Sequence, residues 1–302
     1  MSSVITVSNL CKSFSDVMAV NDISFSVNSG EVYGFLGQNG AGKSTTIRML
    51  LTLIRPDTGN IEIFGMDLKK HRKEILLSTG AIIEKPDLYK YLTALENLRI
   101  FGIISGVKLS KKDLLNKLDY VGLADRANSK IKTFSQGMKQ RLGIAVALVH
   151  NPKLVILDEP INGLDPQGIA DIRNLILRLS REEKKTIFLS SHLLSEIELI
   201  ADSLLIIDKG KKVVEGKMTD LINPQQTIVE LETTDIDATI HFLNNSSWKD
   251  NLKEKSGAGL KLEMKKEFVP ELNRQMVSAG ISVTSIHPIH SLEDYFLSKT
   301  KH

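Results

Sequence analysis

Residues 37–45 read Gly37-Gln38-Asn39-Gly40-Ala41-Gly42-Lys43-Ser44-Thr45, and this run has the residue types and spacing needed to hold a phosphate. It matches G-x-x-x-x-G-K-[ST]. Glycines let the backbone curl until successive N–H groups converge on one anion. A helix that follows turns its positive end toward the same charge. Lys43 suits the β- and γ-phosphates of a nucleoside triphosphate, and the Ser44 hydroxyl suits Mg2+. A chance glycine-rich turn is the plain alternative. The surroundings argue against chance, because an apolar strand precedes the run and a helical pattern follows it.

A second constellation lies at residues 154–160. The apolar run Leu154-Val155-Ile156-Leu157 ends in Asp158-Glu159-Pro160. Carboxylates at the C-terminal end of a parallel strand sit where ligands bind in doubly wound folds. Asp158 can hold Mg2+, and Glu159, aimed differently, can orient or deprotonate a water. Solvated carboxylates at strand ends are common, so this pair alone decides little.

The elements that must position these groups can be read from periodicity. Strands are expected over 4–7, 23–27 and 31–36, with a turn at Asn28-Ser29-Gly30. A helix is expected over 44–54, before Pro56, and a short strand at Ile61 and Ile63. Between about 89 and 150 the pattern turns helical, with capping boxes at Thr93/Glu96 and Ser110/Asp113. The helix containing Leu142, Ala145, Val146 and Val149 should end near Asn151-Pro152. Residues 154–157 and 187–189 are short apolar runs that fit buried parallel strands, with a helix over 169–179 between them. Asp208-Lys209-Gly210 should turn a hairpin. Such alternation argues for an α/β sheet. After about Gly216 the order strand, helix, strand, helix, strand suggests a ferredoxin-like unit, with strands over 228–231, 260–264 and 281–286, helices over 236–243 and 269–278, and a last helix from Leu292.

Bulk properties narrow the classes. The 302 residues leave room for a large core plus an accessory domain. The formal charge of +3 is too small an excess to point to nucleic acid or a polybasic anchor. A single cysteine, Cys11, rules out a disulfide within the chain and suits a reducing compartment. The N-terminus lacks the pattern of a signal peptide, and no apolar run approaches the roughly 18–20 residues that cross a bilayer. Any membrane role is therefore expected to be peripheral.

Three further runs accompany the first two. Phe134-Ser135-Gln136-Gly137-Met138 lies upstream of Asp158, Asn162-Gly163-Leu164-Asp165 lies downstream, and Ser190-Ser191-His192 follows the next strand. Over about residues 1–220 this order resembles the ABC ATPase cassette. The resemblance implies a P-loop core with an N-terminal antiparallel β layer, spanning 1–84 and 150–218. It also implies a helical subdomain over 85–149, and the strand and helix pattern read above makes 219–302 a C-terminal accessory α/β domain beyond the resemblance. It implies ATP and Mg2+ as cofactors. Residues 37–45 would hold the phosphates, Phe14 would stack on adenine, and Ser44, Asp158 and Glu84 would hold the metal. Glu159, His192 and Glu84 would act in hydrolysis. Ser135, Gln136 and Gly137 would bind the nucleotide held by a second subunit, with Asp165 at the interface. Plain readings exist for several of these: Phe14 as a core residue, Ser135 as a helix cap and His192 as a surface residue. Gln136 departs from the commoner glycine.

Glu84 stands where most of these ATPases carry glutamine. With Leu88-Tyr89, Leu92-Thr93-Ala94-Leu95-Glu96-Asn97-Leu98 and Ser291-Leu292-Glu293-Asp294-Tyr295-Phe296, it resembles the bacitracin-resistance and lantibiotic-immunity branch. The resemblance implies an ATP-dependent homodimer on the cytoplasmic side of a membrane. A separate permease would dock near residues 84–101, and no nucleic acid would be involved. Alternatives are an exporter subunit for a lipid or polysaccharide, a soluble ATPase of translation or DNA repair, and a regulatory module that binds nucleotide without hydrolysing it.

Overall fold

A computed structural model describes residues 3–221, 227–256 and 259–289. Contacts divide the chain into two units, one ending at Met218 and the other beginning at Thr219.

In the first unit, β1 (Ser3–Phe14) and β2 (Val17–Asn28) form a long antiparallel hairpin. β3 (Val32–Leu36) enters a second sheet and α1 (Lys43–Leu50) follows it. β4 (Thr58–Ile63) and β5 (Met66–Asp67) complete a sheet of order β2-β1-β4-β5. The expected strands over 4–7 and 23–27 each extend to twelve residues. Register shifts between Val7 and Leu10 and between Leu10 and Lys12, with Asn9 and Asp22 left-handed at φ 50° and 54°, break the alternation that marks a strand in sequence. α1 stops before the expected residue 54. Thr52 turns left-handed at φ 60°, and the N–H groups of Leu53 and Ile54 bond back to Arg48 O at 2.8 and 3.3 Å.

α2 (Arg72–Leu77) and β6 (Thr79–Ile82) follow. Three helices come next: α3 (Ala94–Ile104), α4 (Lys111–Tyr120) and α5 (Gln136–Ala147). Both expected capping boxes form, at Thr93/Glu96 and Ser110/Asp113. The chain returns to the core through β7 (Leu154–Asp158), α6 (Pro166–Arg181), β8 (Thr186–Ser191), α7 (Leu194–Glu198), β9 (Ser203–Asp208) and β10 (Lys211–Lys217). The sheet order is β10-β9-β3-β8-β7-β6, parallel except for β10. Residues of β7 and β8 are buried along their whole length, as expected of central parallel strands. α6 buries Ile172, Leu175, Ile176 and Leu179, a stripe at helical spacing.

Phe25 of β2 stacks against Tyr33 and Phe35 of β3 and Phe188 of β8, with ring centroids 5.9 Å apart in each pair. Each buried ring contributes about 1.5–3 kcal/mol by leaving water, so this cluster fixes the two sheets face to face. The Tyr33 hydroxyl donates to Glu215 Oε1 at 2.9 Å, and burial, then Glu215, pushes its pKa well above the ordinary phenol value. The β9–β10 hairpin turns at Lys209 and Gly210, with φ 46° and 76°, the paired left-handed geometry of a two-residue type I′ turn. Gly210 N–H donates to Ala41 O at 3.0 Å and Gly210 O accepts from Asn21 N–H at 2.7 Å, which ties the hairpin to the loop before α1 and to β2.

The second unit contains β11 (Thr227–Thr233), a helix over Ile236–Asn244, β12 (Leu252–Ser256), β13 (Gly259–Met264), a helix over Val269–Ser278 and β14 (Val283–Ile289). The antiparallel order β12-β13-β11-β14 makes this the ferredoxin-like arrangement, with one strand more than sequence reading supplied. That strand, Leu-Lys-Glu-Lys-Ser, is a charged edge strand with almost no apolar signal. Val229, Leu231, Leu243, Leu260, Leu262, Leu272 and Met276 form its core. The expected helix from Leu292 and the Ser291–Phe296 run lie outside the described residues.

Candidate functional site

β3, β8 and β7 lie side by side and parallel, so their C-terminal ends share one edge. The glycine-rich loop leaves β3 there, Asp158 closes β7, and Ser190 and Ser191 close β8. Register places Asp158 directly opposite Ser190. This is the edge at which open parallel sheets bind ligands.

Close approach dictates two glycines. A Cβ at Gly37 would lie 2.5 Å from Ile207 O, and one at Gly42, whose φ is 106°, would lie 2.4 Å from Ala19 O. Gly42 caps α1 with no side-chain hydrogen bond, and the first turn of α1 holds no acidic residue. The helix therefore offers free N–H groups and an uncompensated positive end, which suits an anion. Lys43 is 6% exposed, and its Nζ donates to Gly37 O at 2.6 Å and Gln38 O at 3.2 Å. Gln38, Asn39 and Gly40 are exposed at the crest, while Ser44 and Thr45 are half-buried.

Lys43 Nζ also lies 3.2 Å from Glu159 Oε1, within ion-pair range though outside hydrogen-bond alignment. Glu159 Oε2 accepts from His192 Nδ1 at 2.8 Å when that nitrogen carries the proton. Glu159 N–H donates to Ser190 Oγ at 3.0 Å, and Ser190 Oγ donates to Asp158 Oδ1 at 2.5 Å. Glu159 takes a left-handed φ of 49°, a strained value for glutamate. One bonded network thus joins Gly37, Gln38, Lys43, Asp158, Glu159, Ser190 and His192.

Asp158 is 1% exposed, and its Oδ2 has no hydrogen-bond partner. A buried carboxylate oxygen without a donor costs about 1–3 kcal/mol or more, so it calls for a cation. The donors at hand are hard oxygens, and no group of three His, Cys, Asp or Glu residues suited to a metal occurs among the described residues. That combination fits Mg2+, which typically takes one or two protein carboxylates and completes its shell with phosphate and water.

The remaining expected residues are placed differently. Ser135 caps α5, accepting from Met138 N–H at 3.2 Å, and Asp165 caps α6, accepting from Gly168 N–H at 3.2 Å. Gln136 Nε2 donates to Asn162 O at 3.3 Å. A Cβ at Gly137 would meet nothing within 4 Å among the described residues. No hydrogen bond or ion pair joins Ser135, Gln136, Gly137 or Asp165 to residues 37–45 among the described residues. Phe14 is 45% exposed, with Lys12 Nζ 5.4 Å above its ring, so it is not a core residue. Glu84 pairs with Arg48 of α1.

Sequence reading named Ser190 only as part of the run before His192 and gave it no role, though its hydroxyl links the two carboxylate residues, and it missed Arg48. For Ser190 the signal was a small polar residue ending an apolar strand. For Arg48 it was an arginine one helical turn beyond Ser44.

With this geometry in place, comparison with known proteins is informative. The sequence profile of the ABC transporter family matches residues 20–162. The chain is 42% identical over 299 residues to the bacitracin transport ATP-binding protein of Bacillus licheniformis, covering 98% of this chain and 97% of that protein. It is 41% identical over 212 residues to a lantibiotic transport ATP-binding protein of Streptococcus pyogenes, covering 70% of this chain and 90% of that one. Among solved structures, an ATP-binding subunit of an ABC transporter superposes with a TM-score of 0.65 at 32% identity, covering 72% of this chain and 91% of that one. These relatives are transport subunits, one of them matched over 98% of this chain, and none of the three is a translation or repair ATPase.

Proposed function

This chain belongs to the ABC transporter family as an ATP-binding, ATP-hydrolysing subunit, and we propose that it drives export of peptide antibiotics of the bacitracin and lantibiotic type. The observation that carries the catalytic part is the network at the sheet edge, in which the partnerless Asp158 Oδ2 closes β7 and Glu159 follows as the next residue. The full-length likeness to a bacitracin transport protein supports the cargo.

Lys43 is held by two neutral carbonyls and by Glu159. A polyphosphate offers charge-assisted bonds about twice as strong as those carbonyls, so Lys43 turns to the β- and γ-phosphates. The free N–H groups of residues 38–45 close around the same oxygens. Ser44, Asp158 and Glu84 would hold Mg2+, which neutralises phosphate charge when bound. Release from Lys43 leaves Glu159 to orient the attacking water and draw off its proton. His192 holds the Glu159 carboxylate through Nδ1 and turns Nε2 to the γ-phosphate. Phe14 stacks on adenine.

Ser135, Gln136, Gly137 and Asp165 serve the other half of the reaction. Their distance in bonding terms from residues 37–45 supports a head-to-tail dimer, in which each subunit covers the nucleotide of the other. ATP contacts both subunits only when they close, so binding favours closure and hydrolysis reverses it. Among the described residues no helix is long and apolar enough to cross a membrane. The cargo path is therefore assigned to a separate permease, docked near residues 84–101 on the cytoplasmic face.

The test is expression of the chain with its neighbouring permease in a sensitive host. Resistance to bacitracin or to a lantibiotic should rise, and Lys43→Ala should abolish the gain. ATP hydrolysis without any gain in resistance would overturn the cargo while leaving the ATPase standing.

A further inference from the structure

Glu84 brings an additional negative charge to a site built for polyphosphate, and its placement shows how the fold accommodates it. β6 runs parallel to β7 with Ile82 opposite Leu157, so residue 84 emerges at the same edge as Asp158 and Glu159. Glu84 has a φ of 58° and Glu159 one of 49°. Two glutamates that follow adjacent strands are thus both held in the left-handed region, each at a cost of order 1–3 kcal/mol. Strain of this kind clusters at functional sites, and the side chain of Glu84 is paired with Arg48.

Arg48 lies four residues after Ser44 on α1, so the two share one helix face. Helical side chains lean toward the N-terminus, and an arginine therefore covers the turn before its own position. The guanidinium pairs with the Glu84 carboxylate. Arg48 is 39% exposed and Glu84 62%, so the pair adds little to the stability of the fold. The pair brings a positive charge onto Glu84 from a residue one helical turn beyond Ser44.

We propose that Arg48 is a positioning residue that neutralises and orients Glu84, allowing a glutamate to stand beside a bound nucleoside triphosphate. The inference rests on the nucleotide-binding reading of the glycine-rich loop. Without Arg48, the bare carboxylate repels the polyphosphate. With glutamine at position 84 there is no charge to cancel, and Arg48 becomes dispensable for binding.

The test is a double-mutant cycle of Arg48→Gln and Glu84→Gln in the full chain, read as equilibrium ATP affinity in EDTA, where no metal contributes. Arg48→Gln should weaken binding about threefold to tenfold in the Glu84 chain. The same change in the Glu84→Gln background should shift binding less than twofold. Arg48→Lys, which keeps the charge, should retain most of the affinity and guards against a folding defect in the glutamine variant. Equal losses in both backgrounds would make Arg48 a direct phosphate or structural residue and overturn the proposal, as would no loss in either. Failure of the nucleotide reading itself is distinguishable, because the unsubstituted chain would then bind no ATP.

Discussion

Lys43, Asp158, Glu159, Ser190 and His192 hold one another through hydrogen bonds and ion pairs inside a single chain. Ser135 and Asp165 spend their side chains on capping their own helices, and Gly137 faces open space. The first region is assembled before any ligand arrives. The second is shaped but has nothing in the described chain to act on. The contrast is what the proposed head-to-tail dimer predicts, in which each chain would bring two unlike half-sites and function would depend on how the halves of two chains meet.

Substitutions test this contrast directly. The largest effect is expected from Lys43→Ala, which should weaken ATP binding and lower turnover by about a thousandfold or more. Phosphate release at the unsubstituted rate would remove the basis for calling the first region preassembled. Glu159→Gln should slow hydrolysis by about a hundredfold to ten-thousandfold while ATP still binds. Light scattering with ATP and Mg2+ should then find a trapped dimer, and a monomer alone would separate the two regions for good.

Ser135→Arg sharpens the comparison. It should leave ATP affinity intact yet suppress turnover of its own homodimer. Mixed in equal amounts with Lys43→Ala, it should regain up to about a quarter of the unsubstituted activity, the share of intact sites in a randomly paired C2 dimer. If both halves act within one chain, the mixture stays inactive. Phe14→Ala should raise the KM for ATP about tenfold, because base stacking contributes about 1–3 kcal/mol. The smallest effect is expected from Gly163→Ala. Gly163 has φ 71°, and a Cβ there would lie 2.9 Å from Gln136 Nε2. The change should lower stability by about 1 kcal/mol, read in a thermal melt, and loosen Gln136 from Asn162.

Much of the first region was legible in the sequence because its residues are neighbours there. The loop 37–45 needs glycines at fixed offsets, and β7 is a continuous apolar run that ends in acid. Helix caps at Thr93 and Ser110 were equally plain, since a cap and its N3 partner are three residues apart. What escaped depends on contacts that spacing does not encode. Ser190 bridges to residues more than thirty positions away. Arg48 meets Glu84 across thirty-six. β1 and β2 hide their length behind register shifts, and the Leu252–Ser256 strand hides behind its charges.

Gly210 has no polar side chain and lies well over a hundred residues from the loop it supports. Its N–H holds Ala41 O, its carbonyl holds Asn21, and a side chain there would strike Ala19 O at 2.9 Å. These contacts brace the loop from behind, and a braced loop has less conformational entropy to lose on binding. In a mutational scan Gly210 should tolerate replacement as poorly as the residues that touch phosphate, and selection for fast nucleotide capture would be written partly in a hairpin that never meets the nucleotide.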